Sequence, residues 1–238
     1  MSRTGVVLAA GFGSRLRVDD DAALKPLTPI AGVPLLFRAL RSLELAGCEQ
    51  TVVVVGFRSE DLTDALAGWS GQSPVTTVVN ERYQLANGVS VLAAAPHIDG
   101  EFVLTMADHV LDDDMMALAR AHTPVRNGAT LLVDRRIDEV FDLDDATKVR
   151  TGERGQIVDI GKQLADYDCI DTGVFVCTTG LLDALRAVLD ETGDASLSQG
   201  VAALARDGRM HTLDIGDAFW QDVDTPEMLA HAIAHFSR

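Results

Sequence analysis

Cysteine is scarce in this chain of 238 residues: Cys48, Cys169 and Cys177 stand far apart, odd in number and without a CxxC pair. That excludes a disulfide framework and a thiolate zinc site, and it fits a reducing compartment. Positive charge is also short, with 20 Lys and Arg against 36 Asp and Glu and a net charge of −16. A field of that sign repels polyphosphate backbones and anionic lipid, which excludes general nucleic-acid binding, so any bound phosphate must be met by a local cluster of donors. No apolar run approaches the ~20 residues of a spanning helix, and the start lacks a charged-then-apolar signal pattern. The expectation is a cytoplasmic protein without membrane insertion. Internal repeats and low-complexity linkers are absent too.

What the chain does contain is an apolar share of 47%, enough for an ordinary buried core. Gly5-Val-Val-Leu-Ala9 reads as a buried strand running into a glycine turn, Gly11-Phe-Gly-Ser-Arg15, with a long loop to about Pro34. Apolar runs at 51–55, 75–79 and 101–106 then alternate with helical spacing at 35–45, 59–69 and 89–95; Gly47 suits a helix stop and Ser59 a cap. Single helices between strands imply parallel pairing and a doubly wound sheet whose ligands sit beyond the carboxyl ends of the strands.

From Ala129 the pattern changes to strands at 130–133, 148–151, 156–160 and 170–177, with helices near 181–189 and 199–205. Edge strands are expected at 210–215 and around Trp220, before a closing helix over 226–236 with Pro226 in its first turn. The expected fold is one α/β domain over 1–238, a Rossmann-like, doubly wound mixed sheet. Its nucleotide-binding half covers 1–127 and its acceptor-binding half 128–238.

The turn Ala9-Ala-Gly-Phe-Gly-Ser-Arg15 combines small residues, which let main-chain N–H groups approach a triphosphate, with an arginine that can fork onto phosphate oxygens. It is neither a dinucleotide GxGxxG, since Leu16 replaces the third glycine, nor a GxxxxGK[ST] loop. Followed by Lys25-Pro-Leu27, the run Leu8-Ala-Ala-Gly-Phe-Gly-Ser-Arg-Leu16 resembles the signature of the nucleoside-triphosphate transferases that activate sugar phosphates, a GT-A-like family. The resemblance implies that Leu8, Ala9, Ala10, Gly11, Gly13 and Ser14 hold base and triphosphate, with Arg15 and Lys25 neutralising the phosphates. It assigns the base-reading stretch to Asn80, Asn87, Gly88 and Ser90; a helix cap is the other reading of Asn87.

Mg²⁺ takes hard oxygen ligands and bridges one or two carboxylates to substrate phosphates. Asp108 follows a strand end, and Asp222 and Asp224 would face the same side of an extended segment. Both positions match the family's metal-holding aspartates, although capping ahead of Pro226 also suits the second pair. Asp112-Asp-Asp114 reads as the acidic first turn of a helix. A phosphate monoester, with its second pKa near ~6, is already an anionic nucleophile at neutral pH, so no dedicated base is needed. Cations must instead hold two anions together. Lys148 and Lys162 are the acceptor-side candidates, ordinary strand-end lysines being the other reading, with Lys162 also matching the family's lysine; His109 is a candidate acceptor contact, a surface or core histidine being its other reading.

Further segments narrow the resemblance to the branch of cytidylyltransferases acting on inositol 1-phosphate: Met106-Ala-Asp-His109, Ala146-Thr-Lys-Val-Arg150, Ile160-Gly-Lys162, Asp168-Cys-Ile-Asp-Thr-Gly-Val-Phe-Val176 and Trp220-Gln-Asp-Val-Asp-Thr225. This implies CTP and inositol 1-phosphate as substrates, with Asp171, Thr172 and Gly173 against the acceptor. Phosphocholine would call for an aromatic cage, and aromatics are only 5% of the chain. UTP or GTP with a sugar 1-phosphate, an aminoalkylphosphonate acceptor and a non-catalytic nucleotide sensor are the other readings. Many proteins of this type continue into a membrane-embedded transferase that consumes CDP-inositol; this chain stops after Phe236-Ser-Arg238, so a separate transferase is expected to take the product. A homodimer is common in similar enzymes, but no residue pattern requires it.

Overall fold

The computed structural model describes residues 3–12 and 24–236. β1 (Thr4–Ala9) lies at the centre of a nine-stranded mixed sheet. A 3₁₀ turn (Lys25–Leu27) and a small hairpin of β2 (Pro29–Ile30) and β3 (Val33–Pro34) follow, then α1 (Leu35–Leu45), β4 (Gln50–Val55), α2 (Ser59–Leu66) and β5 (Val75–Val79). Next come α3 (Asn87–Ala93), β6 (Phe102–Met106), β7 (His109–Leu111), α4 (Asp113–Ala121), β8 (Ala129–Asp134), β9 (Lys148–Thr151) and β10 (Ile157–Gly161). The chain closes with β11 (Cys169–Cys177), α5 (Gly180–Thr192), α6 (Leu197–Arg206), β12 (Met210–Asp214), β13 (Trp220–Asp222) and α7 (Pro226–Phe236).

The central path runs β10-β9-β11-β6-β1-β4-β5, with β8 on β11 and β12 on β8. Strands β6, β1, β4 and β5 are parallel, as alternating strands and crossover helices require. β11 runs antiparallel to both β6 and β8, so the second half of the chain extends the same sheet.

Consecutive residues of the central strands serve opposite faces. Val6, Leu8, Val52 and Val54 pack with α3, α5 and α6, whereas Val7, Ala9, Val53 and Val55 pack with α1, α2 and α4. Strands buried on both sides read as unbroken apolar runs, which is why Thr51-Val-Val-Val-Val55 carries no alternation. α7 sits apart, packing Ala232 against Ile30, Leu35, Val110 and Val223.

Two local expectations change. Ser59 does not cap α2: the cap position belongs to Arg58 in the left-handed region at φ 49°, and the Ser59 carbonyl accepts from the Thr63 hydroxyl one turn on. Trp220–Asp222 is not an edge of the main sheet but pairs antiparallel with β7, Asp222 opposite His109.

Gly88 lies where α3 crosses the segment before α6, and a Cβ there would stand 2.6 Å from the Ala195 carbonyl and 2.7 Å from Leu185 Cδ2. Backbone cannot yield as a side-chain tip can. Gly88→Ala is therefore expected to destabilise the fold by about 1–3 kcal/mol in urea unfolding, and unchanged stability would show that α3 can shift freely.

Candidate functional site

The carboxyl ends of β1 and β6 lie side by side, Leu8 opposite Met106, so the chain leaves both strands at the same edge. Beyond β1 come Ala10 and Gly11; beyond β6 come Ala107 and Asp108, with the Ala107 N–H donating to the Leu8 carbonyl at 3.0 Å. The β7–β13 pair fixes the third element, because the Val223 N–H donates to the Asp108 carbonyl at 3.0 Å. With Val223 buried in the α7 core, Asp222 and Asp224 flank it on the extended chain.

Lys25 occupies the centre. Its Nζ, on a side chain only 6% exposed, donates to Asp108 Oδ2 at 2.5 Å and to Asp224 Oδ1. Burial alone would lower this lysine, but the two carboxylates outweigh it and raise its pKa. Burial likewise works against the Asp108 charge, yet Lys25 and His109 hold that carboxyl well below the usual range. His109 Nδ1 bonds Asp108 Oδ1 at 2.8 Å; burial opposes its protonation, but Asp108 and Asp222 prevail and raise it. Asp222 does not join the lysine: burial raises its pKa, and Oδ1 accepts from the Gln221 amide at 3.0 Å.

Among the described residues no three His, Cys, Asp or Glu side chains cluster with metal-ligand geometry. Two carboxylates converging on one cation fit Mg²⁺, which keeps several waters and takes its remaining ligands from substrate phosphates. The thiols offer no nucleophile: all three are buried, which pushes Cys48 and Cys169 up to about 12 and Cys177 well above its ordinary value.

A cavity of about 520 Å³ opens beside this group, lined by His109, Lys162, Asp171, Gly173, Asp222 and Asp224 among others. Gly173, at φ +76°, packs against the histidine so closely that a Cβ would stand 2.5 Å from His109 Nε2. Its N–H donates to Asp171 Oδ1 at 2.7 Å, closing a turn at the start of β11. Lys162 Nζ pairs with Asp145 at 2.7 Å.

Other expected contacts are engaged elsewhere. Lys148 is buried and donates to the Asp144 carbonyl, so it does not line the cavity. Thr172 is wholly buried, its hydroxyl donating to the Leu132 carbonyl, which corrects its assignment to the acceptor. Asn80 and Ser90 are buried and bond each other at 3.0 Å, so their polar groups are spent inside the fold. Asn87 reaches the cavity but is the first residue of α3 rather than its cap, and its Oδ1 accepts from the Leu197 N–H. Leu8, Ala9 and Ala10 are buried beside the exposed Gly11, and the Ala10 carbonyl accepts from Phe57 N–H. Gly13, Ser14 and Arg15 lie outside the described residues, as does the acidic run Asp19-Asp-Asp21.

Sequence reasoning missed Arg136, Asp145 and Phe141, all of which line the cavity. Arg136 was the findable one, lying two residues beyond the carboxyl end of β8, where open α/β sheets place ligand contacts.

The model of the MobA-like NTP transferase domain matches residues 5–208. The chain is 38% identical over 228 residues to a bifunctional IPC transferase and DIPP synthase of Rubrobacter xylanophilus, covering 94% of this chain and 49% of that protein. It is 32% identical over 227 residues to the Aquifex aeolicus protein of the same description, covering 95% and 50%. It thus spans about half the length of the curated relatives it matches. The inositol-1-phosphate CTP transferase from T. maritima superposes with a TM-score of 0.85 at 27% identity, over 100% of this chain and 97% of that one. No helix among the described residues is long and apolar enough to cross a membrane.

The half-buried Asp171 supplies a pH test. Burial pushes its carboxyl up to about 6, against the Gly173 N–H and the His109 charge, which both pull it down. The folded protein then holds this proton more tightly than the unfolded chain, whose carboxyl sits near ~3.9. Its contribution to stability is fully present below about pH 4 and is lost as pH rises through the folded value. Asp171→Asn, uncharged throughout, is expected to match wild type near pH 4 and exceed it at pH 7 by on the order of 1–2 kcal/mol in urea unfolding; a pH-independent difference would contradict this.

Proposed function

The chain belongs to the MobA-like NTP transferase family and is a nucleotidyltransferase of GT-A-like fold, and we propose that it uses Mg²⁺ to transfer CMP from CTP to inositol 1-phosphate, or a similar small phosphorylated alcohol, releasing pyrophosphate. The observation that carries this reading is the Lys25 ammonium shared by Asp108 and Asp224 at the mouth of a polar cavity. The choice of CTP and inositol 1-phosphate is supported by the similarity to the T. maritima transferase across the whole chain.

The reaction joins two anions. The acceptor phosphate oxygen attacks the α-phosphorus, the P–O bond to the β,γ-diphosphate breaks opposite, and pyrophosphate leaves with the electron pair. Asp108 and Asp224 would hold the metal, which when bound neutralises phosphate oxygens as charge moves onto the leaving group. Lys25 brings a permanent positive charge to the same point, and Arg15 would act from the glycine turn. On the acceptor side, Lys162 attracts the phosphate, His109 meets it beside Gly173, and Asp171 accepts from a hydroxyl of the ring. No residue needs to remove a proton from the nucleophile, which is consistent with buried, unreactive thiols.

A second reading, a phosphorylated amino alcohol as acceptor, is favoured by one observation. Although aromatics are few, Phe141, Phe219 and Trp220 all line this cavity together with Glu139 and Asp217, a setting that suits an organic cation.

Pyrophosphate release across a panel of nucleotides and acceptors separates these readings. CTP with inositol 1-phosphate and Mg²⁺ is expected to be the most active pair, with loss of ~10³-fold or more in kcat for Asp108→Ala and loss of turnover on chelation. Equal turnover of UTP with glucose 1-phosphate would overturn the substrate assignment; preference for phosphocholine would favour the second reading.

A further inference from the structure

One stretch of the cavity wall is built on a buried carboxylate that the transfer chemistry does not use. Asp134 closes β8 at 3% exposure, and its two oxygens receive four N–H groups. Oδ1 accepts from Arg136 N at 2.8 Å and Nε at 3.1 Å; Oδ2 accepts from Arg136 Nη2 at 3.0 Å and from Trp220 Nε1 at 2.9 Å. Arg136 Nη2 also donates to the Ala218 carbonyl at 2.7 Å. The inner edge of the guanidinium is therefore locked in a bidentate fork.

The outer nitrogen is differently placed. Nη1 stands 3.4 Å from Glu139, a side chain 68% exposed, and so makes a long, solvent-screened pair. Arg136 and Lys162 are the two Lys or Arg side chains among the described residues lining the cavity, and Lys162 is drawn onto Asp145. The carboxylates there can accept from hydroxyls, but a polyol also offers oxygens that need donors.

We propose that Arg136 is a specificity-determining residue that donates from Nη1 to hydroxyl oxygens of the acceptor, with Asp134 as the positioning residue that aims it. This rests on the reading of the cavity as the acceptor site. Trp220 extends the same support inward: its indole is bound by Asp134, and its ring lies 20° from parallel with that of His109 at 6.5 Å between centroids. Arg136 is thereby joined through Trp220 and His109 to the group holding Asp108.

The test is a KM split. In the full-length enzyme, Arg136→Met is expected to raise KM for inositol 1-phosphate ~10- to 100-fold, the span for losing a charged hydrogen bond, while KM for CTP stays within about 2-fold. Arg136→Lys should not rescue, because an ammonium cannot occupy the fork and reach the cavity together. Asp134→Asn is expected to shift the acceptor KM the same way; should that buried variant fail to fold, Trp220→Phe, which keeps a ring and loses the donor, replaces it. Equal rises in both KM values, or an acceptor KM unmoved in Arg136→Met, would overturn the proposal. Direct binding keeps this failure apart from failure of the functional reading. In a Trp69→Phe protein, inositol 1-phosphate is expected to change Trp220 fluorescence, and Arg136→Met to abolish the change. If wild type instead turns over a phosphorylated amino alcohol lacking hydroxyls, with Arg136→Met still raising its KM, hydroxyl recognition is wrong.

Discussion

The site depends on one ammonium among carboxylates. Lys25 reaches Asp108 and Asp224 across 83 and 199 residues of sequence; the lysine is buried and the two carboxylates are partly so. Charges so placed are tolerated only when paired: removal of either aspartate leaves Lys25 with the other, whereas removal of Lys25 leaves two carboxylates facing each other without a cation. The surrounding structure serves that pairing. β1 and β6 stand in register, the 3₁₀ turn presents the lysine, and β13 brings the last aspartate alongside β7.

The electrostatics of the cavity follow from the same shortage of positive charge that marks the whole chain. Its walls carry many more carboxylates than cations, yet the proposed substrates are both anions. Such a cavity favours ligands by their hydroxyls and admits phosphate only where a cation is already fixed. Lys25, Lys162 and Arg136 are each held by acidic partners, which orients them but also lowers the net charge they present.

The legible part of the fold was the part set by apolar runs. Residues 51–55, 148–151 and 226–236 fall on β4, β9 and α7 within a residue, because burial on both faces or on one helical stripe leaves a local signature. Of the candidate site, the position of Asp108 just beyond a strand end was legible, and Lys25, expected near the phosphates, lies against it. The site was less legible where a polar side chain can turn either way. Thr172 and Ser90 look like ligand contacts in sequence, but each answers a nearby buried group, Leu132 O and the Asn80 amide. Lys148 turns back onto Asp144 for the same reason. Arg136 escaped notice because its orientation comes from Asp134, which also holds Trp220, a residue 84 positions beyond Arg136 and brought near by the folded β7–β13 pair. That Asp224 rather than Asp222 meets the lysine was likewise not legible in the sequence, where the two stand alike on one extended segment.

The β7–β13 pairing also ties two separate parts of the molecule together. Every strand of the large sheet lies before Ile215 in the sequence, including β6, which leads to Asp108. Without the docking of Trp220–Asp222 on β7, Lys25 has one anionic partner rather than two, and α7 has no Val223 to pack against. The second ion pair of Lys25 and the packing of the α7 cluster thus rest on one short two-stranded pairing, so a substitution that loosens β13 would disturb both together.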